Sequence, residues 1–308
     1  MSPRPFIPLL IACAFALAAC GKPENPEDTP VTTDQTVTLQ LNLSFEGAMP
    51  ETQYTKAGEV KVRHTLRFYR SNGAGGWAST PELEQVVTAE KAGGIDLDVK
   101  LKADRYKVLA WTDYVQSGSA DWMWITRDFS GIRLPDGAYE GGSAYREAFF
   151  GTLEKDLGSG GAIASGNIRM TRPLAAYSLY ATDAEAFDGK DITAVISYPD
   201  AVPSRFNLWE QAATDTREGL SFSFPVAVQA DGSVLLGQDM VLVGGDSAML
   251  KAEIRLQDAS GTVLNRISLG INLQKGRRSV YKGAFLSEDS TSGIVNDPSF
   301  DGQYDINF

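Results

Sequence analysis

The sequence has very little of the chemistry that most enzymes need. Its 308 residues include one histidine, His64, and two cysteines, Cys13 and Cys20. These counts exclude a Cys/His zinc cluster and a disulfide framework, and a Ser-His-Asp centre would have to use His64. Acidic residues number 39 against 28 basic ones, a formal charge of −11 that argues against nucleic-acid binding. We therefore expect no enzymatic activity, no cofactor, no metal and no nucleic-acid partner.

Long hydrophobic runs are absent apart from one at the N-terminus. Residues 6–17 are apolar except for Pro8, and this run is too short for a membrane-spanning helix, which needs about 20 residues. It ends in Leu17-Ala18-Ala19-Cys20, which resembles the lipobox of bacterial lipoproteins. The resemblance implies that residues 1–19 are a signal peptide and that Cys20 carries lipid chains, palmitate among them, that anchor the protein in a membrane. An ordinary signal peptide followed by a chance cysteine is the alternative.

Residues 20–35 predict a tether, because prolines and acidic residues dominate them. Glu24, Glu27 and Asp28 follow the lipidated cysteine closely. Acidic residues at this place resemble the signal that moves lipoproteins to the cell exterior in gut and oral anaerobic Gram-negative bacteria, whereas a plain soluble linker would have the same composition. We expect a lipid-anchored protein of the outer membrane that faces the cell exterior.

Beyond the tether, the dominant pattern is the two-residue alternation of a half-buried β-strand. In residues 36–45, one face consists of Val37, Leu39, Leu41, Leu43 and Phe45. Residues 60–68 alternate in the same way and place His64 on the apolar face. Their opposite face is polar: Lys61, Arg63, Thr65 and Arg67. Further alternating segments occupy residues 95–101, 105–110, 192–198, 220–228, 250–256, 267–273 and 304–308.

Many short strands with turn signals between them predict antiparallel β-sandwiches rather than a parallel sheet with helices. The glycine-rich residues 158–161 and the following Thr171-Arg172-Pro173 favour a boundary in this region. We therefore predict an all-β protein with an N-terminal sandwich at residues 36–170 and a C-terminal one at residues 171–308, each long enough for its own core. The two halves have no convincing sequence repeat.

Four strings of residues, in a characteristic order, resemble a known family. They are Tyr106-Lys107-Val108-Leu109-Ala110-Trp111-Thr112-Asp113-Tyr114, Tyr145-Arg146-Glu147-Ala148-Phe149-Phe150-Gly151, Arg172-Pro173-Leu174-Ala175 and Pro203-Ser204-Arg205-Phe206-Asn207-Leu208. Together with the lipobox they resemble the fimbrillin-like lipoproteins of gut and oral anaerobes, which include stalk, tip and anchor subunits of fimbriae. The resemblance implies two transthyretin-like antiparallel β-sandwich domains and fimbrial subunits as partners, bound by addition of a β-strand.

In the stalk subunits of that family, a protease cuts after an arginine beyond the first strand and so frees a groove for a neighbour's strand. Here residues 46–59 contain Lys56 but no arginine. The next arginines are in the second alternating segment, where a protease has poor access: Arg63, Arg67 and Arg70. We predict that the mature protein keeps its lipid and its first strand, as an anchor or accessory subunit would.

Two segments are candidates for strand exchange. One is the first strand, with Val37, Leu39, Leu41 and Leu43, and the other is the chain end. The alternating residues at the end are Tyr304, Ile306 and Phe308. They form either a donor strand for another subunit or the last strand of the C-terminal sandwich, and we favour the second interpretation.

Three tryptophans are candidates for ligand or partner contact. Trp122 and Trp124 lie on one side of an extended stretch, and Trp77 follows a glycine-rich loop. Exposed, their rings would stack on sugars or fill a partner's pocket; buried, they would close the end of the first sandwich, which we favour for the first two. Two functions stay open: a fimbrial anchor, accessory or fimbrillin-like subunit, and a surface lipoprotein that binds surface glycans or other ligands without polymerising.

Overall fold

The computed structural model of the chain describes residues 35–46, 60–90, 93–286, 293–297 and 306–307. The predicted signal peptide, Cys20, almost all of the tether, Tyr304 and Phe308 lie outside these ranges. The described part is almost entirely β, and its helical pieces are two short 3-10 turns, Ala144–Arg146 and Ala184–Phe187. Neither these turns nor any other part of the described residues forms a helix long and apolar enough to cross a membrane.

The strands follow one another closely along the chain. In the N-terminal half they are β1 (Thr36–Phe45), β2 (Val60–Arg70), β3 (Leu83–Ala89), β4 (Ile95–Lys102), β5 (Arg105–Gln116), β6 (Ile132–Arg133), β7 (Ala148–Asp156) and β8 (Ile163–Met170). In the C-terminal half they are β9 (Leu174–Ala181), β10 (Ile192–Ser197), β11 (Val202–Pro203), β12 (Arg205–Asn207), β13 (Ala212–Ala213), β14 (Thr216–Arg217), β15 (Ser221–Pro225), β16 (Ala227–Val228), β17 (Val234–Leu242), β18 (Ser247–Asp258), β19 (Val263–Gln274), β20 (Arg278–Gly283), β21 (Gly293–Asp297) and β22 (Ile306–Asn307).

Each half is a sandwich of two sheets, and the two halves share a common strand order, to which the C-terminal half adds β16, β21 and β22. The N-terminal sheets are β4-β1-β8 and β3-β2-β5-β7, and the C-terminal sheets are β16-β17-β9-β20-β21-β22 and β15-β10-β18-β19. Matching strand by strand, β1 corresponds to β9, β2 to β10, β5 to β18 and β8 to β20. The structure therefore repeats where the sequence shows no convincing repeat.

The all-β, two-sandwich fold is confirmed, but the sheets are not purely antiparallel. The first strand of each half pairs antiparallel on one side and parallel on the other, since β1 runs parallel to β8 and β9 runs parallel to β20. Alternation of apolar residues does not specify strand direction, so the sequence pattern could not reveal these pairs. The boundary between residues 170 and 171 stays a prediction.

The N-terminal core lies between the two N-terminal sheets. Strand β1 crosses it with Val37, Leu39, Leu41 and Leu43, all at most 2% exposed. The opposite sheet contributes alternate residues of β5, among them Tyr106 and Val108. This core is the one that the alternation of residues 36–45 predicts.

A second core covers the other face of the β3-β2-β5-β7 sheet. Leu109 and Trp111 of β5 face the C-terminal half and join its core, together with Phe206 of β12. The short strands β6 and β12 pair across the junction, with Phe206 opposite Ile132. Hydrophobic burial is therefore continuous between the two halves, whereas the sequence predicted one separate core in each.

The polar face predicted for β2 is partly buried for the same reason. Arg63 and Thr65 are only 7% and 4% exposed. The segment between β5 and β7 and the C-terminal half lie over this face of the sheet. Charge alone suggested solvent exposure, and the buried carboxylate that pairs with Arg63 overrides that expectation.

Candidate functional site at the junction of the sandwiches

Arg63 of β2 forms a buried ion pair with Asp113 of β5 and also binds the segment that follows β5. The guanidinium of Arg63 donates to both carboxylate oxygens of Asp113, at 2.9 and 2.6 Å, and also to the carbonyl of Ala120. It approaches Asp121 at 3.4 Å, and Asp121 in turn accepts hydrogen bonds from Thr126. Residues 120–126 therefore have a defined position against the sheet, and the two predicted tryptophans lie within them.

Trp124 and Trp122 differ in their burial. Trp124 is fully buried, packs edge-on against Trp111 at 5.7 Å and donates its indole N–H to the carbonyl of Arg146 at 2.9 Å. It offers no face to a ligand in this arrangement and belongs to the core, the alternative that the sequence favoured. Trp122 is half-buried, with its ring 4.9 Å from that of Tyr145.

Trp77 lies elsewhere on the molecule. It is half-buried at the base of the glycine-rich loop, where it forms an isolated bridge with Ser71. The guanidinium of Arg105 lies over its ring at 5.2 Å. Because one face of the indole is already occupied by a cation, Trp77 has less free aromatic surface than a loop-tip residue would have.

A cleft of about 170 Å³ opens beside Trp122 where the two halves meet. Its main lining residues are Trp122, Pro135, Tyr139, Glu140, Arg146 and Arg217. Arg217 comes from β14 of the C-terminal half, and it donates to the carbonyls of Pro135 and Gly137. The cleft therefore combines an aromatic ring with two guanidinium groups; we call it the Trp122 cleft.

Arg146 is the buried charge of the Trp122 cleft. The residue is 3% exposed, and its guanidinium stacks on the ring of Tyr139 at 4.2 Å. One nitrogen, Nη2, donates to the carbonyl of Glu140. The Nε and Nη1 atoms are buried without a hydrogen-bond partner among the described residues. Such unpaired donors are uncommon in folded proteins and call for an explanation.

A network of tyrosine hydroxyls and Asp239 holds Tyr139 in place beneath Arg146. Asp239 accepts hydrogen bonds from the hydroxyls of Tyr139 and Tyr198 at 2.7 and 2.8 Å and from the N–H of Gly142 at 3.1 Å. Burial raises the pKa of Tyr139 and of Tyr198 well above the usual value, so both hydroxyls remain protonated donors. The Asp239 carboxylate is thus satisfied, and it fixes Tyr139, on which Arg146 rests.

The first strand is held on both sides. Strand β1 forms ladders with β4, from Thr36 opposite Lys102 to Leu43 opposite Ile95, and with β8, from Thr38 opposite Ile163 to Phe45 opposite Met170. Its four candidate exchange residues are core residues here. At the other end of the chain, Ile306 of β22 pairs with Ile294 of β21, which itself pairs with β20.

His64 is a core residue. It is fully buried, and its Nδ1 lies 2.9 Å from the hydroxyl of Thr112. Burial lowers its pKa from 6.5 to about 4. Within the described ranges, no three His, Cys, Asp or Glu side chains come together in a way that could hold a metal ion.

Two larger depressions, each of about 520 Å³, lie away from the Trp122 cleft. One covers the open face of β10, β18 and β19 and has no aromatic lining residue. The other is lined by Glu46, Arg172 and Lys275, among other residues. Neither combines an accessible aromatic ring with an unpaired buried donor.

Sequence reasoning named Trp122 as a possible contact residue, although it favoured packing for it, and did not name Arg63, Arg146 or Arg217. Arg146-Glu147 directly precedes the apolar run Ala148-Phe149-Phe150, and charged residues are seldom fully buried unless they are paired. Glu147 does pair with Arg172, at 2.8 Å, inside the junction. Arg217 carries no comparable local signal.

Comparison with solved structures defines the class of fold. A proposed polysaccharide-binding protein (DUF1812) from Bacteroides thetaiotaomicron VPI-5482 is 12% identical, with a TM-score of 0.54 over 88% of this chain and 98% of that one. A proposed adhesin from Bacteroides ovatus is 14% identical, with a TM-score of 0.49 over 89% and 96%. The C-terminally truncated tip fimbrial protein Mfa3 of Porphyromonas gingivalis is 11% identical, with a TM-score of 0.45 over 85% and 100%. At such identity, the first of these shows a shared two-sandwich fold and nothing more.

The sequence itself defines the family. The model of the family of unknown function DUF6562 matches residues 29–308, so the chain belongs to that family. No curated protein matches the sequence.

Proposed function

We propose that this chain is a non-enzymatic cell-surface lipoprotein that acts in adhesion or pilus assembly, as an anchor, accessory or fimbrillin-like subunit. The sequence resemblance to fimbrillin-like lipoproteins supports the proposal, and the structural neighbours described above include a proposed adhesin and a tip fimbrial protein. On this proposal the protein works through contact with other subunits and faces the cell exterior.

The observation that carries the proposal is a difference in pairing between two equivalent strands, β8 and β20. In the C-terminal half, the outer edge of β20 is covered by β21. In the N-terminal half, the equivalent strand β8 is the edge of its sheet within the described residues. An unpaired edge is a template for a strand from another chain, and Ile163 on β8 is 64% exposed.

Retention of strand β1 fits an anchor or accessory subunit better than a processed stalk. The arginines that follow β1 are occupied in β2: Arg63 pairs with Asp113, Arg67 with Glu84 and Arg70 with Asp104. Burial of four aliphatic side chains of β1, at about 1.5–3 kcal/mol each, opposes loss of the strand. Intact mass of the protein from its native membrane tests this point, and a main species that starts beyond Phe45 would contradict it.

A single charged substitution on β8 tests whether another subunit adds a strand at its edge. We expect Ile163→Lys to reduce recovery of fimbrial subunits with the protein from gently solubilised native membranes, because a lysine on an edge strand disfavours strand addition. The matched control is Val228→Lys on β16, which is 63% exposed at the edge of the C-terminal half. Equal recovery with both variants would refute assembly through β8.

The lipid anchor is proposed from the sequence. Cys20→Ser should release the protein from the outer membrane, because the thioether to lipid needs the cysteine sulfur. Membrane fractionation, with surface labelling of intact cells, measures both anchoring and exposure. Retention of Cys20→Ser in the membrane fraction would show that something other than lipid on Cys20 holds the protein there.

Glycan or ligand binding without polymerisation is the second candidate function. The Trp122 cleft favours it, since an aromatic ring beside buried polar groups is typical of small-ligand sites. The Trp122 cleft and the edge of β8 use different residues, so ligand binding and strand addition can be tested separately.

A further inference from the structure

We propose that the Trp122 cleft binds a single acidic sugar ring, of the uronate or sialate class, presented by a glycan. The inference does not depend on whether the protein assembles with other subunits. It rests on the aromatic surface, the unpaired donors, the local charge and the size of the cleft.

The aromatic surface comes from Trp122. Its ring packs against Tyr145, which in turn contacts the ring of Tyr114 at 5.9 Å. These contacts hold the indole in place where it lines the cleft, so little side-chain entropy is lost when a ligand packs on it. The C–H face of a sugar ring is flat and weakly apolar, and it suits an aromatic surface of this kind.

The unpaired donors belong to Arg146. Its Nη2 is used by the carbonyl of Glu140, but Nε and Nη1 have no acceptor among the described residues. An unsatisfied buried N–H is costly, and a bond to a charged acceptor is about twice as strong as one between neutral groups. A ligand that brings oxygen acceptors, above all a carboxylate, would remove this cost.

The local charge also favours an acid. Arg146 and Arg217 both line the cleft, whereas one of its two carboxylates, Asp136, is already bound by Arg133 at 2.7 and 3.0 Å. Asp239 attracts Arg146 from nearby, yet its oxygens are occupied by tyrosine hydroxyls and backbone N–H groups. Glu140 is exposed and its carboxylate attracts Arg146, while Arg217 donates hydrogen bonds to the carbonyls of Pro135 and Gly137.

The size of the cleft limits the ligand. Sites for drug-sized molecules measure roughly 300–1,000 Å³. At about 170 Å³, the Trp122 cleft has room for one ring rather than for an oligosaccharide chain. The rest of a glycan would extend into solvent.

The test is to titrate the purified mature protein with glucuronate, N-acetylneuraminate and glucose, and to measure binding by calorimetry or ligand-observed NMR. We expect saturable binding of at least one acidic sugar and at least tenfold weaker binding of glucose. Trp122→Ala and Arg146→Lys should each weaken binding of the acidic sugar at least tenfold, the second because a lysine keeps the charge but loses the planar set of donors. Thermal melting shows whether each variant is folded. If Arg146→Lys does not fold, the result for Trp122→Ala alone decides the test.

Trp77→Ala is the matched control, because it removes a half-buried indole outside the cleft and should leave binding unchanged. Failure of both acidic sugars to bind, equal binding of glucose, or unchanged affinity in Trp122→Ala would each overturn the proposal. Ile163→Lys should bind the sugar like the wild type, so the sugar titration and the strand-edge experiment fail independently.

Discussion

Protonation of His64 should destabilise the folded protein in mildly acidic solution. The imidazole is fully buried on β2, with Nδ1 next to Thr112 and the ring of Phe45 at 6.0 Å. Its Nε2 has no hydrogen-bond partner among the described residues. A second proton on the ring would therefore place a charge and an unpaired N–H inside the N-terminal core.

The size of the effect follows from the difference in pKa. Burial lowers the pKa of His64 from 6.5 to about 4, so the unfolded chain takes up a proton before the folded protein does. The stability contributed by neutral His64 is complete above the unfolded pKa and is lost as the pH falls from 6.5 through 4. Linkage gives a loss of about 2 kcal/mol at pH 5 and about 3 kcal/mol at pH 4 from this residue.

Urea unfolding followed by tryptophan fluorescence at several pH values between about 7.5 and 4 measures this loss. His64→Asn is the matched variant, because its amide can still hydrogen-bond Thr112 but does not titrate. Other groups titrate in both proteins, so the difference between the two free energies of unfolding isolates His64. Parallel curves for the wild type and His64→Asn would refute the reasoning.

Three further changes test other parts of the structure, all by thermal or urea unfolding. Arg63→Met should cost about 3–5 kcal/mol, since it leaves Asp113 buried without its partner, whereas loss of an exposed pair, as in Arg105→Met, should cost under about 1 kcal/mol. Gly141→Ala should cost about 1–3 kcal/mol of stability, because the added Cβ would lie 2.1 Å from the ring of Phe222. Gly160→Ala is the control, since it has open space around it, and an equally large loss there would contradict this explanation. A chain that ends at residue 298 loses β22 and should melt at a lower temperature as a monomer; unchanged melting with lost assembly would instead support a donor role for the C-terminal strand.

Several strands with one face toward a core and the other toward solvent were readable from the sequence, although β3 and β8, which alternate in the same way, were not predicted. Residues 36–45 form β1 with the predicted bounds and the predicted buried face. The alternation is sufficient here because a half-buried strand needs apolar side chains at every second position, a demand that the neighbouring elements do not change.

Strands buried on both faces were not readable in the same way. Leu174–Ala181 of β9 is apolar almost throughout, and it lacks alternation because both its faces are covered. Strand β5 shows the same effect, since the alternation over residues 105–110 predicted one buried face, whereas Leu109 and Trp111 fill a second core. A continuous apolar run fits either a buried strand or a buried helix, and only its neighbours decide between them.

The sequence by itself determined the secondary-structure class, the excess of acid, and the scarcity of the histidines and cysteines that many catalytic and metal sites need. The tertiary structure decided which tryptophan is accessible, and it brought Arg146 and Arg217, 71 positions apart, to the same cleft as Trp122. The physical reason is that periodicity records whether a side chain is buried, whereas the identity of its neighbours depends on how the two sandwiches pack against each other. That packing depends on residues far apart in the chain, such as Ile132 and Phe206, whose pairing no local pattern encodes.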